Sequence, residues 1–203
     1  MRVGLFVLVV AALAALLLLL LGGVGGVDPH SYEVEYAVAA TYEAATGRRV
    51  VEIARWVLGV GEENYTVWQH LATMTTFYVA TEGGRVHVAA CAPDAGCGRL
   101  PRDLPYFGTL YLFIRLPSGG VEVGSCEHLG LRGVVYRYRG VEISLPFARL
   151  GSRNLDVCSW HDVVLWIRVE GPYELLWVNA TYIRPYDKFR YWQVLDTVKR
   201  YAQ

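Results

Sequence analysis

Two short segments combine cysteine with histidine, residue types that often bind transition metals. Cys126 is followed two positions later by His128, and Cys158 is followed three positions later by His161. Thiolate sulfur and imidazole nitrogen can together hold iron, zinc or copper. Both cysteines also end predicted strands, so a disulfide could join them across a sheet. The sequence therefore leaves two alternatives here, a four-ligand metal site and a covalent cross-link.

The surrounding residues resemble the cluster-binding loops of Rieske iron–sulfur proteins. Cys126 begins Cys-Glu-His-Leu-Gly, which is similar to the family's Cys-x-His-Leu-Gly, and Cys158 begins Cys-Ser-Trp-His, which is similar to its Cys-x-x-His. The resemblance implies electron transfer through a 2Fe-2S cluster. Cys126 and Cys158 would then bind one iron, and His128 and His161 the other. The family continues with glycine after its second histidine, where this chain has Asp162.

A second pair of cysteines, Cys91 and Cys97, encloses the turn-forming sequence Ala-Pro-Asp-Ala-Gly. A local disulfide is the natural interpretation, because this pair lacks the two further ligands that a metal would need. If Cys126 and Cys158 are also joined, all four cysteines form disulfides. In that case we expect no cofactor.

The chain begins with an apolar run from Val3 to Val27 that contains no charged residue. About 20 such residues span a bilayer, and the hydrophobic part of a cleaved signal peptide is shorter. Residues 1–27 are therefore predicted to be a transmembrane anchor or an uncleaved signal. Arg2 and the amino terminus are the only positive charges before the run, which places the rest of the chain outside the cytoplasm. We expect a single-pass protein of the cell membrane.

Two further features concern location and partners. Asn64 and Asn179 begin Asn-x-Thr glycosylation sequons, which agree with an extracytoplasmic domain over residues 28–203. The formal net charge is zero, which removes the electrostatic case for nucleic-acid binding. The expected partners are the membrane and a lipid or acyl ligand. The sequence identifies no protein partner.

The external domain shows the patterns of a mainly β protein. Residues 32–42 alternate between apolar and polar types, as expected for a strand with one buried face. Glycine-rich turns follow at 46–48 and 59–64, and such short links predict an antiparallel meander. Residues 65–80 are interpreted as one long strand, and Arg139-Gly140 as a tight connection between two strands.

The end of the chain changes to helical spacing, which predicts an amphipathic helix at about 186–202. Its apolar stripe consists of Tyr191, Val194, Leu195, Val198 and Tyr201. We expect this helix to cover an open face or edge of the sheet. The predicted fold is a curved antiparallel sheet, like a half-barrel, with a C-terminal helix and an N-terminal transmembrane helix.

This layout of long strands, a proline-rich interruption at 92–109, further strands and a helix resembles the half-barrel of periplasmic lipoprotein carriers. The resemblance implies a curved sheet around an apolar cavity that helices cover, and binding of a lipid or acyl chain. Inward-facing aromatic side chains would line the cavity, namely Tyr32, Tyr36, Trp56, Trp68 and Phe77.

Hydrolytic catalysis finds little support in the sequence. No Gly-x-Ser-x-Gly motif is present, and the adjacent His161 and Asp162 would point to opposite faces of a strand. We therefore expect a non-enzymatic protein that binds an apolar ligand or a membrane partner. The alternatives are Rieske-like electron transfer and a structural subunit of a surface or membrane complex.

Overall fold

The computed structural model describes residues 26–43, 47, 49–99, 119–145, 148–170 and 175–201. Residues 1–25 of the predicted anchor and residues 100–109 of the proline-rich segment lie outside these residues. Within the described part of the chain, no helix is long and apolar enough to cross a membrane.

The described residues form one antiparallel sheet of eleven strands. The strands are β1 (Tyr32–Glu43), β2 (Arg49–Val60), β3 (Tyr65–His70), β4 (Thr76–Glu82), β5 (Arg85–Ala92), β6 (Gly96–Arg99), β7 (Val121–His128), β8 (Leu131–Leu145), β9 (Ala148–Trp160), β10 (Val163–Glu170) and β11 (Leu175–Pro185). Their spatial order is β6-β5-β4-β3-β2-β1-β11-β10-β9-β8-β7. Two meanders therefore meet where the first strand pairs with the last, which confirms the predicted mainly β, antiparallel fold.

Hydrogen bonds between distant strands show that the sheet is strongly curved. His128 Nε2 at the end of β7 lies 2.6 Å from the carbonyl oxygen of Ala180 on β11. In a flat sheet, four strand spacings would separate these strands by about 19 Å. The Tyr36 hydroxyl likewise donates to the carbonyl oxygen of Val164 at 2.9 Å, although β11 lies between their strands. The face that carries Tyr36 is therefore concave, and we call it the inner face.

The chain closes with one described helix, α1 (Lys188–Arg200), on the opposite, outer face. Asp187 caps its first turn, where the carboxylate accepts a hydrogen bond from the Arg190 amide at 3.0 Å. The predicted apolar stripe packs against strands β3, β4 and β5. Its buried members are Tyr191, Val194, Leu195 and Val198. The predicted helix is confirmed, and its place is the convex side of one half of the sheet.

A fully buried carboxylate, Glu33, fastens α1 to the sheet. Its Oε1 accepts hydrogen bonds from Arg184 Nε of β11 at 2.8 Å and from Arg190 Nη1 of α1 at 3.0 Å. The Tyr65 hydroxyl of β3 donates to its other oxygen. Burial and this hydrogen bond raise the pKa of Tyr65 above its usual range, so the phenol remains a donor. One side chain thereby joins three strands and the helix.

Two details of the predicted strands are wrong. Residues 65–80 form a hairpin, because β3 ends at His70 and β4 begins at Thr76. The His70 amide donates to the carbonyl oxygen of Thr75 at 2.9 Å, and Met74 takes a positive φ of 54°. This turn contains neither glycine nor proline, so the sequence has no turn-forming residue here that would have indicated it.

The expected connection at Arg139-Gly140 is a β-bulge within one continuous strand, β8. Tyr138 faces Leu155 and Val141 faces Arg153, so the two intervening residues oppose a single residue of β9. Gly140 has a φ of 65°, which a residue without Cβ adopts at little cost. The glycine therefore marks an irregularity of the strand rather than its end.

Candidate functional site

All five aromatic residues proposed from the sequence lie on the inner face and are buried. Their relative exposures are Tyr32 5%, Tyr36 0%, Trp56 1%, Trp68 2% and Phe77 8%. They belong to one apolar cluster that draws on both halves of the sheet.

Four of these residues form a continuous row across strands β1 to β4, and we call them the aromatic row. Tyr36 is directly opposite Trp56, Trp56 is opposite Trp68, and Trp68 is opposite Phe77. The first two pairs of ring centroids are 5.0 and 5.7 Å apart. Directly opposed aromatic rings at these separations stabilise neighbouring strands. Tyr32 lies four positions before Tyr36 on the same face, outside the row.

The polar atoms of these aromatic side chains add no charge to the inner face. The Tyr36 hydroxyl donates a hydrogen bond to the Val164 carbonyl oxygen, and the Trp56 indole donates one to the Thr66 hydroxyl. Burial raises the pKa of Tyr36 well above its usual value. Burial and the nearby Asp162 raise the pKa of Tyr32 to about 12. Both phenols are therefore neutral at physiological pH, as a site for an apolar ligand requires.

One ionisable group departs from this apolar character, and the sequence analysis missed it. Glu52 of β2 is 2% exposed and shares the inner face with Ala54 and Trp56. Its strand partner is Ala40, and among the described residues neither of its oxygens has a hydrogen-bond partner. Burial raises the pKa of its carboxyl to about 7. The sequence did contain a signal for this placement. Glu52 lies four positions before Trp56, and residues two or four apart share a face of a strand.

A cavity of about 380 Å³ lies between α1 and the outer face, apart from the aromatic row. Apolar side chains line it together with polar ones that include Arg55, Gln69 and Arg190. The resemblance to lipoprotein carriers implied one cavity that both faced the helix and was lined by the aromatic residues. The structure separates these features, because the aromatic row lies on the face opposite α1.

The four cysteines form two disulfides, as the cross-link alternative predicted. Cys91 and Cys97 occupy directly paired positions on β5 and β6. Cys126 of β7 is bonded to Cys158 of β9, with β8 between them. Gly133 is the residue of β8 opposite Cys126, and a Cβ there would lie 3.2 Å from the Cys126 sulfur. The missing side chain therefore leaves room for the bridge.

The Rieske-like interpretation, and with it a zinc or copper site, is not supported. The sulfurs of Cys126 and Cys158 are bonded to each other and are not free to bind iron. His128 is hydrogen-bonded to Ala180, and His161 is an exposed turn residue with a φ of 50°. Across the described ranges, no three His, Cys, Asp or Glu side chains are grouped as metal ligands. The local motif matched the family, but the sheet uses these cysteines as a cross-link.

The two sequons occupy different environments, and glycosylation stays a prediction. Asn64 lies in the turn before β3, where its side-chain oxygen accepts a hydrogen bond from the Gly61 amide at 3.1 Å. Asn179 lies within β11, between Ala37 and Trp166 on the neighbouring strands.

Comparison with known proteins finds similarity to solved structures only. No protein family profile matches the chain, and no curated protein matches it. One similar structure is an outer membrane lipoprotein-sorting protein domain from Vibrio parahaemolyticus, with a TM-score of 0.41, 9% identity and coverage of 86% of this chain and 94% of that chain. Another is a LolA superfamily protein from Nitrosomonas europaea, with a TM-score of 0.35, 11% identity and coverage of 79% and 89%. The first of these two structures bears the name of a lipoprotein-sorting protein, and the layout of this sequence resembles proteins of that class.

Proposed function

We propose that this chain is a membrane-anchored, extracytoplasmic binding protein, without catalytic activity, whose ligand is a lipid or an acyl chain. The observation that carries the proposal is the aromatic row on the concave face of the sheet. Apart from Glu52 this face is apolar, its phenols are neutral, and α1 packs on the other side.

The length of the aromatic row suits an elongated apolar ligand. The row crosses four neighbouring strands, which is about 14 Å at the usual strand spacing. A ligand lying along it would bury its methylene groups against ring faces, with about 0.8 kcal/mol gained for each group removed from water. The rings are nearly fully buried in this structure. Binding therefore requires neighbouring side chains to separate and let the ligand contact the row.

The disulfides support the proposed location. Disulfides persist in oxidising compartments and are rare in the cytosol. Both bridges join strands of the sheet, so the fold uses them as structural elements. Residues 1–27 would hold the domain at the outer surface of the cell membrane. Protease digestion of intact cells tests this location, because an external domain is cleaved and an internal one is protected.

The ligand site is tested by photo-crosslinking the full chain with a fatty acid that carries a diazirine in its acyl chain. Peptide mass spectrometry then locates the label. We expect it on β2, β3 and β4 peptides that contain Trp56, Trp68 and Phe77. Label on residues 1–27 serves as an internal control for contact with lipid.

A matched pair of variants makes this experiment specific. Trp68→Leu shortens the aromatic row, whereas Trp192→Leu removes a tryptophan on α1 that is 52% exposed. Labelling of β2 to β4 should fall several-fold in the first variant and remain unchanged in the second. Label confined to residues 1–27 and α1 would contradict the proposed site, as would equal losses in both variants.

A further inference from the structure

The outer face of β8, β9 and β10 carries an open cleft of about 600 Å³, well away from α1. Its lining is mostly positive, and we call it the arginine cleft. The lining residues are Arg137, Arg139, Asn154, Asp156, Trp166 and Arg168. Three guanidinium groups thus face one carboxylate in a chain whose formal net charge is zero.

The carboxylate orients one of the three arginines. Asp156 Oδ1 and Oδ2 accept hydrogen bonds from Arg137 Nε and Nη2, both at 2.7 Å. This bidentate pair holds the pKa of Asp156 below its usual value, so the carboxylate stays ionised. The Arg137 side chain is 50% exposed and still presents an edge to solvent. Asp156 therefore compensates one positive charge and leaves two.

Aromatic rings orient the second arginine without neutralising it. The Arg168 Cζ atom is 4.6 Å from the ring centroid of Trp166 and 5.7 Å from that of Trp177. Trp177 and Asp156 are its partners on the two neighbouring strands. Cation–π contacts restrict a guanidinium while leaving its N–H groups available. Arg168 is thus positioned for a ligand before any ligand binds.

The β-bulge places the third arginine at the rim of the cleft. Arg139 is exposed and makes no hydrogen bond or ion pair within the described part of the chain. Beside it, the Asn154 side-chain oxygen accepts the Gly140 amide at 3.3 Å, so the Asn154 amide nitrogen remains a donor. Bulges commonly redirect a side chain toward a functional site.

We infer that the arginine cleft binds a phosphate-class anion, a phosphomonoester or a phosphodiester, through Arg139 and Arg168. Planar guanidinium groups match the oxygens of a phosphate in a bidentate arrangement. The cleft volume lies within the range of small-molecule sites, so it accommodates a group larger than bare phosphate. This site is separate from the inner face and does not depend on the proposed acyl ligand.

The test titrates the full chain with inorganic pyrophosphate and with two monomeric short-chain lipids, dihexanoylphosphatidylglycerol and dihexanoylphosphatidylcholine. Calorimetry and tryptophan emission report binding, since Trp166 and Trp177 contact Arg168. We expect saturable binding that weakens with salt. R139Q/R168Q should weaken it by about a hundredfold, since one hydrogen bond to a charged group accounts for roughly a factor of ten.

Arg85→Gln is the matched control, because Arg85 is exposed on β5 and far from the cleft. Binding of pyrophosphate identifies a soluble phosphate ester as the ligand, and binding of phosphatidylglycerol alone identifies a lipid head group. Absence of binding overturns the inference, as does an equal loss in R85Q and R139Q/R168Q.

If R139Q/R168Q does not fold, R139K/R168K is the variant that tests the inference, because it keeps the charge and removes the bidentate geometry. A severalfold loss then supports the inference and unchanged affinity overturns it.

Discussion

Glu52 gives the most direct physical test of the inner face. Its carboxyl lies among apolar side chains, has no hydrogen-bond donor among the described residues, and has its pKa raised from 4.5 to about 7. One pKa unit corresponds to about 1.4 kcal/mol, so the charged form of Glu52 costs the folded state roughly 3 kcal/mol. Because Glu52 is 2% exposed, solvent does little to reduce this cost.

The direction of the pH dependence follows from which state binds the proton. Below pH 4.5 Glu52 is protonated in both states, and its ionisation costs the folded state nothing. Between pH 4.5 and about 7 the unfolded chain has lost the proton while the folded chain retains it, so stability falls as pH rises. Above pH 7 Glu52 is ionised in both states, and the folded state bears the full free-energy cost of the buried charge. We expect Glu52→Gln to abolish this part of the pH dependence.

The assay is urea unfolding of the full chain with its disulfides intact, followed by tryptophan fluorescence on both sides of this pH window. The difference in free energy of unfolding between Glu52→Gln and the unchanged chain should grow by about 3 kcal/mol from the acid to the alkaline limit. Glu62→Gln, at an exposed turn position, should leave the pH profile unchanged. Identical profiles for Glu52→Gln and the unchanged chain would refute the reasoning.

Three further predictions concern the structural framework. Glu33→Gln leaves two arginines without their buried carboxylate and should cost about 2–3 kcal/mol, with faster hydrogen exchange in α1 as the specific sign. Unchanged exchange there would contradict the anchoring role. Replacing Cys126 and Cys158 by serine releases a cross-link that spans 32 positions, and the unfolding free energy should fall by about 3–4 kcal/mol. A loss well under 1 kcal/mol would show that the bridge contributes little. Gly133→Ala places a Cβ 2.3 Å from a backbone oxygen and should cost about 2 kcal/mol, whereas Gly124→Ala meets nothing within 4 Å. Equal melting temperatures for these two variants would contradict the packing argument.

The sequence predicted most of the fold because alternation and spacing are local. The alternating stretch at 32–42 lies within β1, and the apolar stripe of the helix was correct. The aromatic row could not be predicted from the alternation of apolar and polar residues. Trp68 and Phe77 are nine positions apart, so on one strand they would point to opposite faces. Only the unmarked turn after His70 places them opposite each other on neighbouring strands.

The sequence could not predict on which face of the sheet α1 packs, for a related physical reason. An amphipathic stripe shows that a helix buries one side, but either face of a sheet can receive it. In this chain, charged residues near the start of α1 account for its position on the outer face. Glu33 is adjacent to Val34 on β1 and so faces outward, and it needs the two guanidiniums that Arg184 and Arg190 supply. Moving α1 to the inner face would separate this carboxylate from Arg190 and would bring the charges at the start of the helix against the aromatic row. The ion pairs of Glu33 with Arg184 and Arg190 therefore favour the outer position of α1, and this position keeps the charges of the helix away from the aromatic row.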